Sequence, residues 1–150
     1  MLELQFSYRR DNFSLVVNQT LDAPITGIMG ASGSGKSTLL ALIAGLLTPR
    51  DGVITLNNKA LCDTRTKQFI PPHQRHIGLV FQDGQLLPHL SVRHNLLYGY
   101  NNIAPAQRRF SLDTIVELLE IEPLLARRPV ELSGGEKQRV ALGRAGLYSP

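Results

Sequence analysis

What is scarce in this sequence narrows its function first. It has one cysteine, Cys62, no tryptophan and only 6% aromatic residues. A single thiol excludes an internal disulfide and fits a reducing compartment. No apolar run approaches the roughly 18 residues that cross a bilayer. The opening Met1-Leu2-Glu3-Leu4-Gln5-Phe6 alternates like a strand and does not read as a secretory leader. Cys62, His73, His76, His89 and His94 share no metal-ligand spacing and read as packing or surface residues. The net charge of +4 has no concentrated source. Arg9-Arg10, Arg108-Arg109 and Arg127-Arg128 are isolated pairs without interleaved aromatics, so they read as solvated surface and not as a nucleic-acid interface. At 150 residues and 43% hydrophobic content, the chain suits one compact domain.

What is present centres on Gly30-Ala31-Ser32-Gly33-Ser34-Gly35-Lys36-Ser37-Thr38, which fits G-x-x-x-x-G-K-[ST] without a mismatch. The apolar run Ile25-Thr26-Gly27-Ile28-Met29 before it suits a buried strand. The run from Ser37 to Leu47 has helical spacing, and strand, glycine loop, helix is the context the pattern requires. Glycines let the backbone curl and turn its N–H groups toward an anion. The helix starting near Lys36 adds unpaired N–H groups and a positive dipole end. Lys36 brings a point charge to the β- and γ-phosphates, Ser37 a hydroxyl oxygen for Mg²⁺, and Thr38 a further donor.

Ahead of this loop, Leu2, Leu4 and Phe6 alternate with Glu3 and Gln5, and Phe13 to Val17 reads as the hairpin partner across Arg10-Asp11-Asn12. Behind it, the helix runs to about Leu47 and stops before Thr48-Pro49. Asp51-Gly52 turns into the strand Val53 to Leu56, and Asn57-Asn58 is a turn. Residues 62–75 are polar, carry Pro71-Pro72, and read as a loop. His76 to Phe81 is a short apolar strand leading into Gln82-Asp83-Gly84. From Leu87 to Arg128 leucine-rich helical spacing takes over, with Ser91 capping one helix through Tyr98 and Ser111 capping another. Leu132-Ser133-Gly134-Gly135-Glu136-Lys137-Gln138-Arg139 then opens a helix with Ser133 as N-cap, whose glycines expose further N–H groups for an anion. The expected organisation is an antiparallel β element, a phosphate-loop α/β core and a helical insertion.

Three stretches, in this order and spacing, resemble the ATP-binding subunits of ABC transporters. They are the glycine loop, Val80-Phe81-Gln82 (the glutamine loop of that family) and Leu132 to Gln138 (its signature). The resemblance covers essentially all 150 residues. It implies a P-loop NTPase core of ABC type: β subdomain and core over 1–86, helical subdomain over 87–131, and signature with its helix over 132–150.

It further implies that Gly30 to Thr38 bind ATP, that Ser37 and Gln82 meet Mg²⁺, and that Lys36 and Gln82 take part in the chemistry. Ser133, Gly134 and Gly135 would reach the γ-phosphate of ATP on a second copy, in a head-to-tail homodimer. Tyr8 stands where an aromatic usually stacks on adenine, although a core tyrosine is nearly as good a reading and Phe6 competes for the role. A membrane permease docking over 87–100, an indirectly engaged substrate-binding protein, and a peripheral place on the cytoplasmic face of the bacterial inner membrane complete the expectation. Among importers the resemblance points first to molybdate, carried by residues 24–30, 76–98 and 140–145, with sulfate, iron or thiamine as alternatives. A soluble ABC ATPase without a permease is the other class, and the short helical insertion argues against its coiled-coil forms.

The chain departs from the family pattern in two places. The apolar strand ending in Asp-Glu and the switch histidine are not in these residues, so the chain reads as a fragment lacking the general base and inactive alone. Gly146 stands inside the last helix where the family usually has a bulky apolar residue.

Overall fold

The structure is a computed structural model and describes residues 1–148. Positions 149 and 150 of the expected 132–150 segment lie outside the described residues. The chain divides into two compact units, Met1–Ile77 and Gly78–Pro150.

In the first unit, β1 (Leu2–Arg10) and β2 (Phe13–Leu21) form the expected hairpin, with Leu2 opposite Leu21 and Arg10 opposite Phe13. Asp11 turns the chain at φ 51°. β1 also pairs antiparallel with β3 (Asp51–Leu56), placing Leu4 opposite Ile54. Asn57 and Asn58, at φ 49° and 63°, turn β3 into β4 (Lys59–Asp63). Asparagine tolerates this left-handed backbone, which matches the twist of the flanking strands. β5 (Gln68–Phe69) completes a sheet of order β2-β1-β3-β4-β5. The stretch 62–75 is therefore not all loop: its first residues finish β4 and two more form β5. Alternation sends Leu4, Phe6 and Tyr8 to one face, where they bury with Leu42, Ile54, Leu61 and Cys62.

Helix α1 (Lys36–Ala44) supplies Leu42 to that core. It ends three residues short of the expected Leu47. Gly45 takes a left-handed φ of 84° and donates to Leu42 O, while Leu46 N–H reaches back to Ala41 O. This is the Schellman stop. Arg75, only 3% exposed, seals the same end by donating from Nη1 to Leu42 O at 3.1 Å and Ile43 O at 2.8 Å.

The strands expected over 25–29 and 76–81 are not formed among the described residues. Ile25 and Met29 are 89% and 95% exposed. An extended run becomes a strand only when a neighbour takes its N–H and C=O groups. No described segment pairs with either run.

The second unit is helical. α2 (Val92–Leu97), α3 (Leu112–Leu118) and α4 (Gly134–Leu147) enclose a core of Val92, Leu96, Ile115, Val116, Ile121, Leu124, Leu132, Val140 and Leu147. Ser91 and Ser111 cap α2 and α3 by accepting from His94 N and Thr114 N, as their positions foretell. α4 crosses the other two at Gly143. A Cβ there would stand 2.9 Å from Leu96 Cδ2 and 3.1 Å from both Ile115 Cγ2 and Leu119 Cδ1.

Candidate functional site

The first unit carries the glycine loop on its surface. Ala31, Ser32, Gly33 and Ser34 are exposed and Gly35 is half-buried. Gly35 is the N-cap of α1, at φ 97°, and no side chain caps the helix. That backbone is open to glycine and costly for other residues. A Cβ at Gly35 would also stand 2.7 Å from Phe13 Cζ. The N–H groups of Gly33, Gly35, Lys36, Ser37 and Thr38 find no acceptor among the described residues. No acidic side chain lies in the first turn to compete for them. Lys36 Nζ arches over the loop, donating to Gly30 O and Ala31 O at 2.8 Å each. Free amides, an uncapped helix start and one ammonium fit a polyphosphate.

Among the described residues no group of His, Cys, Asp or Glu is arranged to hold a metal ion. The exposed hydroxyl of Ser37, at the start of α1, is a hard oxygen this loop can offer to Mg²⁺.

Tyr8 is not on this surface. It is 9% exposed and packs within the sheet core. The half-buried aromatic beside the loop is Phe13, the first residue of β2, which the sequence reading assigned only to the hairpin. Alternation reveals the face a strand residue takes, but not which end of a hairpin a distant loop meets.

The second unit holds the other two motifs. Ser133 caps α4 in a capping box: Ser133 Oγ accepts from Glu136 N at 3.3 Å, and Glu136 Oε2 accepts from Ser133 N at 2.7 Å. That donation from Ser133 is the main cause holding the Glu136 carboxyl below its usual range. Ser133, Gly134 and Gly135 are all exposed. The N–H groups of the two glycines have no acceptor among the described residues.

Gln82 is exposed in a turn closed by Gly84 N donating to Phe81 O at 2.9 Å. Two residues of α4 stitch this turn to the signature helix. Gln138 Nε2 donates to Phe81 O at 3.2 Å and to Gln82 O. Arg144 Nη2 donates to Gly84 O at 3.3 Å and Gln85 O at 3.0 Å. The sequence reading gave neither residue a role. Their signal was two polar side chains on a helix flanked by Val140, Ala141 and Leu147, all buried.

A phosphate loop opening a helix and a second amide-rich helix start stitched to a glutamine turn define a nucleotide-binding cassette. The profile of the ABC transporter family matches residues 12–150, and the chain belongs to that family. It is 48% identical over 150 residues to the molybdenum import ATP-binding protein ModC of Paramagnetospirillum magneticum, covering 100% of this chain and 41% of that protein. ModC of Mannheimia succiniciproducens is 51% identical over 153 residues, covering 100% and 42%. The chain thus spans about two-fifths of the length of these curated relatives. Among solved structures, the dimeric ATP-binding cassette MJ0796 bound to ADP and Pi superposes with a TM-score of 0.78 at 28% identity, covering 100% of this chain and 71% of that one. CbiO1 of Clostridium perfringens, part of the ABC transporter complex cbiONQ, gives 0.71 at 27%, covering 99% and 62%.

Proposed function

We propose that this chain is the ATP-binding portion of a subunit that energises molybdate import. The observation that carries the reading is the pair of exposed, amide-rich helix starts, at Gly35 and at Ser133-Gly134-Gly135, in a chain nearly half identical to molybdenum import subunits. The Gly30–Thr38 loop wraps the triphosphate, and Lys36 swings from its carbonyls onto the β- and γ-phosphates. Ser37 would offer its hydroxyl oxygen and Gln82 its amide oxygen to Mg²⁺, which would supply charge neutralisation on the phosphates. The rest is positioning and electrostatics: fixed N–H donors take up charge as the γ-phosphoryl leaves.

Ser133, Gly134 and Gly135 act on ATP held by a second copy, so two chains close head-to-tail on two nucleotides. A permease docks over 87–100 at the cytoplasmic face of the membrane, and a substrate-binding protein acts through the permease. Among the described residues no helix is long and apolar enough to cross a membrane itself. The base contact passes from Tyr8 to Phe13, because Phe13 is the ring touching the loop.

The experiment is molybdate uptake and ATPase activity of the full-length protein with its membrane partner. Lys36→Ala is expected to abolish both and to remove the stabilisation that ATP gives the wild type. An ATP-dependent Tm rise that survives this substitution overturns the site. Uptake of sulfate, iron or thiamine in place of molybdate overturns the substrate.

A further inference from the structure

The backbone around Gln82 is gripped by side chains from one helix. Of the five carbonyls from Phe81 to Gln85, four accept from α4. Gln138 Nε2 holds Phe81 O and Gln82 O, and Arg144 Nη2 holds Gly84 O and Gln85 O. The two grips stand six residues apart on the helix, about 9 Å along its axis. A single grip would let the turn pivot, whereas two fix its direction as well as its place.

The turn also lies against the helix backbone. Gly84 is buried at φ 73°, and a Cβ on it would stand 3.3 Å from Lys137 O. Gln85 follows at φ 38°, a left-handed backbone that is costly for a residue with a side chain. The carbonyls of these two left-handed residues are the pair that Arg144 binds. Among the described residues no carboxylate forms an ion pair with Arg144. Gln82 and Gln85 are exposed, so water could serve their carbonyls if the two side chains let go. Water could not hold the turn in one place. The bonds therefore fix position more than they add stability.

We propose that Gln138 and Arg144 are positioning residues for hydrolysis: they tie the glutamine turn to α4, so that Gln82 takes its place from the same helix that presents Ser133-Gly134-Gly135. This rests on the roles given above to Gln82 and to the Ser133 start. On that reading the Ser133 end engages nucleotide held by the second copy, while Gln82 serves the nucleotide of its own chain. A displacement of α4 at the one then carries Gln82 at the other.

The test measures ATP hydrolysis and ATP binding by the full-length protein with its membrane partner. Arg144→Met and Gln138→Met keep an unbranched side chain and remove its donors. In each, kcat is expected to fall by at least about tenfold while the Kd for ATP stays within about twofold. The loss passes through Gln82, so in a Gln82→Ala background neither substitution lowers kcat by more than about a further twofold. Arg139→Met is the control. Arg139 Nη1 makes the same kind of grip from α4 on a different piece, donating to Leu119 O at 3.0 Å and Glu120 O at 3.3 Å at the end of α3. Its loss is expected to lower stability and to leave kcat within about twofold. Should the α4 variants fail to fold, Gly84→Ala crowds Lys137 O from the side of the turn and is expected to give the same loss of kcat. An unchanged kcat in the folded variants overturns the proposal. So does a loss that adds in full to that of Gln82→Ala, that Arg139→Met matches, or that is accompanied by an equal loss of ATP affinity, since each marks a merely structural role. If Gln82→Ala alone leaves hydrolysis unchanged, the role given to Gln82 is wrong; that fault appears with α4 intact, and it overturns the proposal too.

Discussion

Two glycines three positions apart on α4 allow packing to be separated from helix propensity. Gly143 and Gly146 both lie within the helix, so replacing either with alanine gains about 1 kcal/mol of intrinsic propensity. Their surroundings differ. A Cβ at Gly143 would stand 2.9 Å from Leu96 Cδ2 and 3.1 Å from Ile115 and Leu119. Leu96 and Ile115 are 0% and 5% exposed, so they have no open space to move into. Overpacking of this kind costs roughly 1–3 kcal/mol. Among the described residues a Cβ at Gly146 would approach Ile115 Cδ1, at 3.4 Å, an ordinary contact. Gly143→Ala is therefore expected to be neutral or to lose up to about 2 kcal/mol, and Gly146→Ala to gain about 1 kcal/mol. The propensity contribution cancels between the two variants, leaving a packing difference of roughly 1–3 kcal/mol. Urea unfolding of both full-length variants measures it, as a shift of the transition midpoint at unchanged slope. If Gly143→Ala is as stable as Gly146→Ala, the close crossing of α4 over α2 and α3 is wrong. At Gly146 a single Cβ meets nothing described closer than an ordinary contact, so alanine fits there.

Two further outcomes concern the sites. Phe13→Ala is expected to weaken ATP binding by about five- to a hundredfold through loss of base stacking, and to leave inorganic triphosphate binding unchanged. Tyr8→Leu, which removes the ring but keeps an apolar core side chain, is expected to leave both within about twofold; titration with a fluorescent ATP analogue tests this, and the opposite pattern returns the base contact to Tyr8. The Glu136 carboxyl is held below its usual range by Ser133. A depressed folded pKa gives stability that is present above the unfolded value and lost as pH falls through the folded one. The start of α4 is thus expected to loosen as the Glu136 carboxylate protonates in acid, seen as a lower amide protection factor at Glu136, and Ser133→Ala to loosen it at neutral pH already. Exchange at Glu136 that ignores both acid and Ser133→Ala removes the capping box.

What could be read from the sequence was what is decided within a few residues. Ser91, Ser111 and Ser133 each cap a helix through an N–H three residues on. Asp11 and Asn57-Asn58 turn hairpins by their own tolerance of positive φ. The phosphate loop is local in the same sense, since its amides and Lys36 act over Gly30 to Thr38. What escaped depends on distant partners. Gln138 and Arg144 bond carbonyls 56 to 60 residues away, and no spacing rule announces such a pair. Arg75 seals a helix 32 residues before it. The runs over 25–29 and 76–81 have strand composition but no described neighbour to complete a ladder, so composition outran structure there.

The two amide-rich helix starts are not equivalent, and the difference bears on the order of events. α1 begins at a glycine with no side-chain cap and no acid in its first turn, so its starting N–H groups are left without acceptors among the described residues, joined by an ammonium. α4 begins with a capping box that consumes the N–H groups of Ser133 and Glu136, and it leaves those of Gly134 and Gly135. It also carries the Glu136 carboxylate at the same end, which repels an approaching phosphate. The α1 loop is therefore expected to be the stronger site for a polyphosphate. On the proposed reading, nucleotide is held first by α1, and the Ser133 start of the second copy adds its two donors only once dimer closure brings it onto a phosphate already bound.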